Sequence, residues 1–175
     1  MKKLLALVAF LSAFGMVLTA LAQQKPLSPP EQAQVTVGGK TISIKYSAPS
    51  VRGRKIFGPG GLLSHDPTYP VWRAGANAAT AFHTDANLKL GNLNVPAGNY
   101  TLYVLVKDPD HWQLIVNKQT GQWGLTYKPN QDLGRIPMEM SVPGQVIERL
   151  RYVLSPAKLT LEWDKHIASV PMQIR

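Results

Sequence analysis

The sequence predicts an all-β domain, an antiparallel β-sandwich (jelly-roll-like or a related barrel) of about ten short strands. Three observations predict it. Apolar and polar residues alternate with period two in many short runs between residues 34 and 174. Turn residues separate those runs at intervals of about 8–12 residues, the spacing of sandwiches and barrels. No window carries a sustained 3.6-residue stripe of helical length, and the chain holds 14 Gly and 14 Pro.

The first 22 residues read as an address. Met1-Lys2-Lys3 is a positive head, Leu4 to Leu21 is an almost unbroken apolar run, and Ala20-Leu21-Ala22 is a small-x-small cleavage pattern. This is the form of a secretory signal peptide. The run is close to the roughly 20 residues that cross a bilayer, so a membrane anchor is the competing reading. The cleavage pattern favours a signal cut after Ala22, leaving a mature chain that starts at Gln23 and is secreted or periplasmic. No Cys follows the site, which excludes a lipoprotein anchor, and no second long apolar run exists. Residues 23–33, with three prolines, read as an extended lead-in, and residues 34–175 as one domain.

Within that domain Val35 and Val37 alternate with Gln34 and Thr36, and Gly38-Gly39 turns the chain into Ile42, Ile44 and Tyr46. Glycine supplies the positive φ that a two-residue hairpin needs. Tyr100 to Val106 is apolar on both faces and reads as a central strand covered on two sides. Asp108-Pro109-Asp110 is a turn before Trp112, Leu114 and Val116. Met138, Met140 and Val142 alternate with Glu139 and Ser141, and Pro143-Gly144 follows as a turn. Leu150, Tyr152 and Leu154 then share a face, as do Leu159, Leu161 and Trp163. Asp164-Lys165 is a turn before Ala168, Val170, Met172 and Ile174. Residues 47–78 show little alternation but hold Phe57, Leu62, Leu63, Tyr69, Val71 and Trp72, too much apolar surface for a disordered loop. They are expected to pack against the sandwich.

Four stretches carry a resemblance. They are Tyr46-Ser47-Ala48-Pro49-Ser50-Val51-Arg52-Gly53-Arg54-Lys55-Ile56-Phe57-Gly58, Val71-Trp72-Arg73-Ala74-Gly75-Ala76-Asn77, Val95-Pro96-Ala97-Gly98-Asn99-Tyr100-Thr101-Leu102 and Leu161-Glu162-Trp163. In this order, over nearly all of the mature chain, they resemble the bacterial domain-of-unknown-function family 2911. The resemblance implies a secreted, sandwich-like domain and implies no activity. One departure stands out: Ala78 occupies a position where the family pattern carries Glu. A family reaction that needed that carboxylate would be absent here.

The sequence excludes much chemistry. It has no Cys, hence no disulfide, thiolate metal site or cysteine nucleophile. Gly58-Pro59-Gly60-Gly61 fits neither phosphate-binding glycine spacing. Ser64-His65-Asp66 has the three triad residue types, but adjacent side chains diverge. His65, His83 and Asp85 could in principle hold zinc, yet no His pair has ligand spacing, so no metal and no cofactor is expected. Asp108 and Asp110 share one turn, whereas a glycosidase needs carboxyls facing across a cleft. A formal charge of +9 raises nucleic acid as a partner, but the export signal argues against it. Anionic envelope polymers remain natural partners for a basic protein.

The candidate site is Arg54, Trp72, Arg73, Asn77 and His83. Guanidinium grips carboxylates and phosphates with two hydrogen bonds, and an exposed indole can stack on a sugar ring. Trp112 and Trp163 are in phase with apolar faces and are expected in the core; Trp72 and Trp123 lie beside turns and are the better platforms. Arg54, following Gly53, is expected to be structural, and Arg73, next to Trp72 and near Asn77, to lie closer to a ligand. The leading reading is a non-catalytic binding or envelope-associated domain for a small anionic or sugar-like ligand. Its site would be a concavity between residues 47–78 and a sandwich face. The alternatives are a hydrolase or isomerase using His83 and Arg73, and a structural accessory of the envelope.

Overall fold

A computed structural model describes residues 26–175. The predicted signal peptide, its cut after Ala22 and the start at Gln23 lie outside the described residues. Thirteen strands follow in order: β1 (Pro30–Val37), β2 (Lys40–Ser47), β3 (Val71–Trp72), β4 (Ala76–Thr84), β5 (Leu88–Leu90), β6 (Leu93–Val95), β7 (Gly98–Leu105), β8 (Gln113–Asn117), β9 (Asp132–Pro137), β10 (Glu139–Ser141), β11 (Ile147–Ser155), β12 (Lys158–Asp164) and β13 (His166–Ile174). Two short 3-10 turns, Leu62–His65 and Pro129–Gln131, are the helical elements. Among the described residues no helix is long and apolar enough to cross a membrane.

The strands form two antiparallel sheets packed as a sandwich. One has the order β1-β2-β4-β7-β8-β9, with β3 also pairing β7; the other has β11-β12-β13-β5-β6, with β10 also pairing β13. Both predicted hairpins close on two residues. Val37 faces Lys40 across Gly38 and Gly39 (φ +55° and +75°), and Trp163 faces His166 across Asp164-Lys165. The thirteen strands exceed the expected ten because β3, β5 and β6 are only two or three residues long, too short to show an alternation. The first strand starts at Pro30, inside the segment expected to be an extended lead-in.

Alternation decides which residues meet between the sheets. Ile42, Ile44, Phe82, Leu102, Val104, Leu114 and Val116 from the first sheet pack on Leu159, Leu161, Trp163, Ala168 and Val170 from the second. Residues 47–78 close one end of this core. Ala48, Val51, Ile56, Phe57 and Leu63 are buried in it, and the Phe57 ring lies 4.7 Å from Trp112, 5.7 Å from Trp163 and 6.0 Å from Trp72. Strand β7 is covered on both sides, as its composition predicts. On the outer side Tyr103 and Ile115 are fully buried with Val71, and Tyr127 packs against them from the chain between β8 and β9.

That covering chain is pinned at several points. The Tyr103 hydroxyl donates to the Thr126 carbonyl at 2.9 Å, and the Gln122 amide donates to Tyr103 and Thr101. Asp132 accepts from Tyr127, Arg135 and Asn117. Residues 122–124 run beside the start of β4: Ala79 N–H donates to Gln122 O, and Gly124 N–H to Asn77 O. Pinned this way, the chain becomes a wall on the outer face of the first sheet.

Candidate functional site

The five residues expected to form one site are not brought together: Trp72 and Arg73 border one hollow, Arg54 another and His83 a third. Residues 47–78 border two hollows against the second sheet, one of about 280 Å³ with Trp72 and Arg73 and one of about 500 Å³ with Arg54, and neither holds Asn77 or His83. Trp72 is 1% exposed, stacks on Trp163 at 5.4 Å and donates its indole N–H to the Gly75 carbonyl. Both its faces serve the core, so it offers no sugar platform. Trp112 and Trp163 are buried as expected, whereas Trp123 is 57% exposed.

The two arginines differ from expectation in degree. Arg54 is exposed and donates to the carbonyls of Val51 and Ser50, which ties its own loop together. Arg73, expected nearer a ligand, points its guanidinium at Asp66 with contacts of 3.3 and 3.5 Å. Both side chains are mostly shielded, at 18% and 11% exposure. The Arg73 stem passes beneath Gly124 so closely that a Cβ there would sit 2.0 Å from its Cδ. Asn77 is exposed, in the left-handed region at φ +60°. Arg73 and His83 line different cavities.

The other motifs resolve simply. Ser64 donates to Gly61 O while Asp66 faces Arg73, so Ser64-His65-Asp66 forms no relay. Asp108 caps its own turn, accepting from Asp110 N–H and from His111, and those bonds hold its carboxyl below its ordinary pKa. Among the described residues no group of three or more His, Asp or Glu side chains converges as metal ligands would.

His83 stands at a more informative place, in a cleft of about 490 Å³ on the outer face of the first sheet. Register builds the cleft. Ser43 on β2 faces His83 on β4, which faces Asn99 on β7; one row along, Lys45 faces Ala81. The short side chains of Ser43 and Ala81 leave a hollow between the longer Lys45, His83 and Asn99. Thr120, from the pinned wall, completes the lining. Because the polar side chains stand on paired strands, their positions are fixed before any ligand arrives.

His83 is held from both sides. Its Nδ1 lies 2.9 Å from Asn99 Oδ1 and its Nε2 lies 3.0 Å from Asp85 Oδ1. An imidazolium can donate to both oxygens at once, so these two contacts favour the protonated ring. The bond to Asn99, followed by that to Asp85, raises the His83 pKa above its ordinary value. Asp85 is in turn lowered, first by the Thr41 N–H bond at 3.0 Å and then by His83. Lys45 works the other way: it is close enough for its charge to oppose protonation of His83. Lys45 and His83 therefore face one hollow, and Asp85 balances the charge of His83 when the ring is protonated.

The chain matches the family described as "Protein of unknown function (DUF2911)" over residues 28–172. It belongs to that family. The match bears out the resemblance read from the sequence, and within the DUF2911 chain it spans every strand but the last residues of β13. No curated protein matches, and no solved structure matches. Of the polar cleft residues, sequence reasoning selected His83 and missed Ser43, Lys45, Asn99 and Thr120. Ser43 and Lys45 were visible only as the polar half of the β2 alternation, the pattern of any solvated face.

Proposed function

We propose that the chain is a non-catalytic binding domain. It works outside the cytoplasm, secreted or associated with the cell envelope, and holds a small anionic, sugar-like ligand in the outer cleft of the first sheet. The observation that carries the reading is an exposed Lys45 beside a His83 held by Asn99 and Asp85, both facing one hollow. Asp85 balances His83, and the cleft lining holds no carboxylate for Lys45, so an anion in the hollow supplies its missing partner. Hydroxyl and amide groups from Ser43, Asn99 and Thr120 flank the cations and suit a ligand carrying hydroxyls. Larger hollows beside Arg149 and Arg151 and beside Arg54 and Lys165 are also lined by carboxylates, whereas the lining of this cleft holds none.

The test is calorimetric titration of the purified domain with galacturonic acid and with galactose. Binding of the acid, with affinity at least tenfold lower in Lys45→Ala and in His83→Gln, is the expected result. Equal binding of the two sugars, or no binding of the acid, overturns the reading.

A further inference from the structure

The end strand of a sheet is where another chain can add a strand, and three of the four end strands, β6, β9 and β11, are guarded. Strand β6 is three residues long. Strand β9 carries Asp132, Arg135 and Pro137 and breaks register against β8. Strand β11 is covered by chain from elsewhere: Leu150 N–H donates to Pro49 O, Val51 N–H to Glu148 O, and Tyr152 N–H to the Tyr46 hydroxyl. Short strands, charges, bulges, prolines and covering chain are the usual devices against edge-to-edge pairing. After Pro30 and Glu31, strand β1 has none of them. It runs eight residues along β2 without a register shift and carries no Lys or Arg. The described lead-in does not fold back over it, because the carbonyls of Leu27 and Pro29 accept from Arg52 and Ala48, beyond the start of the strand.

The hairpin fixes which groups of β1 point outward. Val37 and Lys40 close a two-residue turn and exchange hydrogen bonds, so the odd-numbered residues of β1 bond β2. The N–H and C=O groups of Gln32, Gln34 and Thr36 point the other way, and among the described residues nothing bonds them. We infer that a second copy of this chain pairs here, β1 against β1, antiparallel about a two-fold axis at Gln34. The strand is self-complementary in that register. Gln34 meets the second copy's Gln34 and Gln32 meets its Thr36, so each outward N–H finds a carbonyl. Pro30, which has no N–H to offer, falls opposite Gly38, past the strand's end. Charge favours the same partner and direction. Glu31 is the ionic side chain of β1, and antiparallel order sets its two copies at opposite ends of the join, each facing Val37. Half-exposed Ala33 and Val35 face each other across the join and gain cover on the core side. Gln34 shares its face with Ser43, so both His83 clefts open on the same side of the joined sheet. Pairing itself does not depend on what the cleft binds.

The test is sedimentation velocity of the purified protein from about 1 μM to 1 mM, the span of weak to moderate affinities. The wild type should pass from monomer to dimer within this range. Gln34→Lys and Gln34→Glu each set like charges directly opposite one another, and each should raise the dissociation constant by about tenfold or more. Mixed in equal amounts, the two variants should pair with each other at least as tightly as the wild type pairs with itself. Gln34 is exposed, and an unchanged melting temperature at the lowest concentration shows that both variants fold. Gln34→Pro is the second probe. It deletes an outward N–H, spares the ladder to β2 and should also be monomeric. A wild type that stays monomeric throughout overturns the inference and leaves the edge to another occupant. A dimer that survives Gln34→Lys and Gln34→Pro, or a mixture of the charged variants that stays monomeric, overturns the pairing of β1 with itself.

Discussion

Replacing Arg73 by Ala is expected to destabilise the domain by about 2–3 kcal/mol. The reasoning starts from shielding. Arg73 and Asp66 are 18% and 11% exposed, so the pair sits largely out of water. Removing one partner of a fully buried pair costs roughly 3–5 kcal/mol, mostly because the other charge is stranded. Here the contacts are long, at 3.3 and 3.5 Å, and some water reaches both groups, which lowers the figure. The lost stem adds to it, because Arg73 Cδ fills the space beneath Gly124. For a domain of this size the loss corresponds to a fall of about 5–10 °C in melting temperature. Urea unfolding of the wild type, Arg73→Ala, Asp66→Asn and the double variant measures the pair directly. The cycle should return a coupling of about 1–2 kcal/mol. Arg54→Ala is the control: its bonds go to loop carbonyls at the surface, and it should cost no more than about 1 kcal/mol. A loss below 0.5 kcal/mol in Arg73→Ala, with no coupling to Asp66, would refute the argument and return Arg73 to the pool of ligand-binding candidates.

Three further outcomes are expected. Gly124→Ala should lose at least about 2 kcal/mol in urea unfolding, because its Cβ would sit 2.5 Å from the Asn77 carbonyl oxygen as well as 2.0 Å from Arg73 Cδ, and backbone cannot step aside cheaply. The His83 pKa, followed by NMR, should lie above 6.5 and fall in Asn99→Ala; its stabilising contribution is full below about pH 6.5 and is lost as pH rises through the folded value, and binding of an acidic sugar should weaken over the same range. His166 behaves oppositely. Burial lowers its pKa, its ring lies 5.0 Å from Trp112 in a stack, and stability should fall as pH drops below about 6.5, an effect absent in His166→Phe.

The fold was legible because burial on a half-exposed strand writes itself as alternation. Strands β2, β11, β12 and β13 each bury one face, β1 half-buries one, and each shows period two in the sequence. Strand β4 reads less clearly. Its inward side is Thr80, Phe82 and Thr84, with threonines where aliphatic residues would have announced a strand. Thr80 and Thr84 are tolerated there because each hydroxyl donates to a nearby carbonyl, Ala74 O and Ala86 O. Such satisfaction depends on chain from outside the strand and leaves no periodic mark. Strand β9 is hidden for a related reason: Ile136 is its one fully buried side chain, and the rest of its sequence is that of a loop.

The site was legible only where one residue type carries meaning alone. Histidine drew attention at position 83, and arginine and tryptophan drew it at 54, 72 and 73, but residue type does not say which way a side chain faces. Trp72 and Arg73 are neighbours in sequence, and the short pairing of β3 with β7 sends the indole into the core while the guanidinium meets Asp66. Strand β4, by contrast, places His83 on the outer face because Phe82 and Thr84 on either side of it are buried. The cleft itself arises from register, which sets Ser43 against His83 and Ala81 against Lys45. Register is a property of pairs of strands far apart in the chain, so a pocket made from it has no local sequence signature. The same argument says where the specificity of this domain resides. Small residues at positions 43 and 81 make the hollow, and enlarging Ala81 to Leu on an exposed strand position should leave the fold intact while filling the space a ligand would occupy. Loss of acidic-sugar binding in Ala81→Leu at unchanged melting temperature is the expected result, and retained binding would mean that the ligand sits elsewhere.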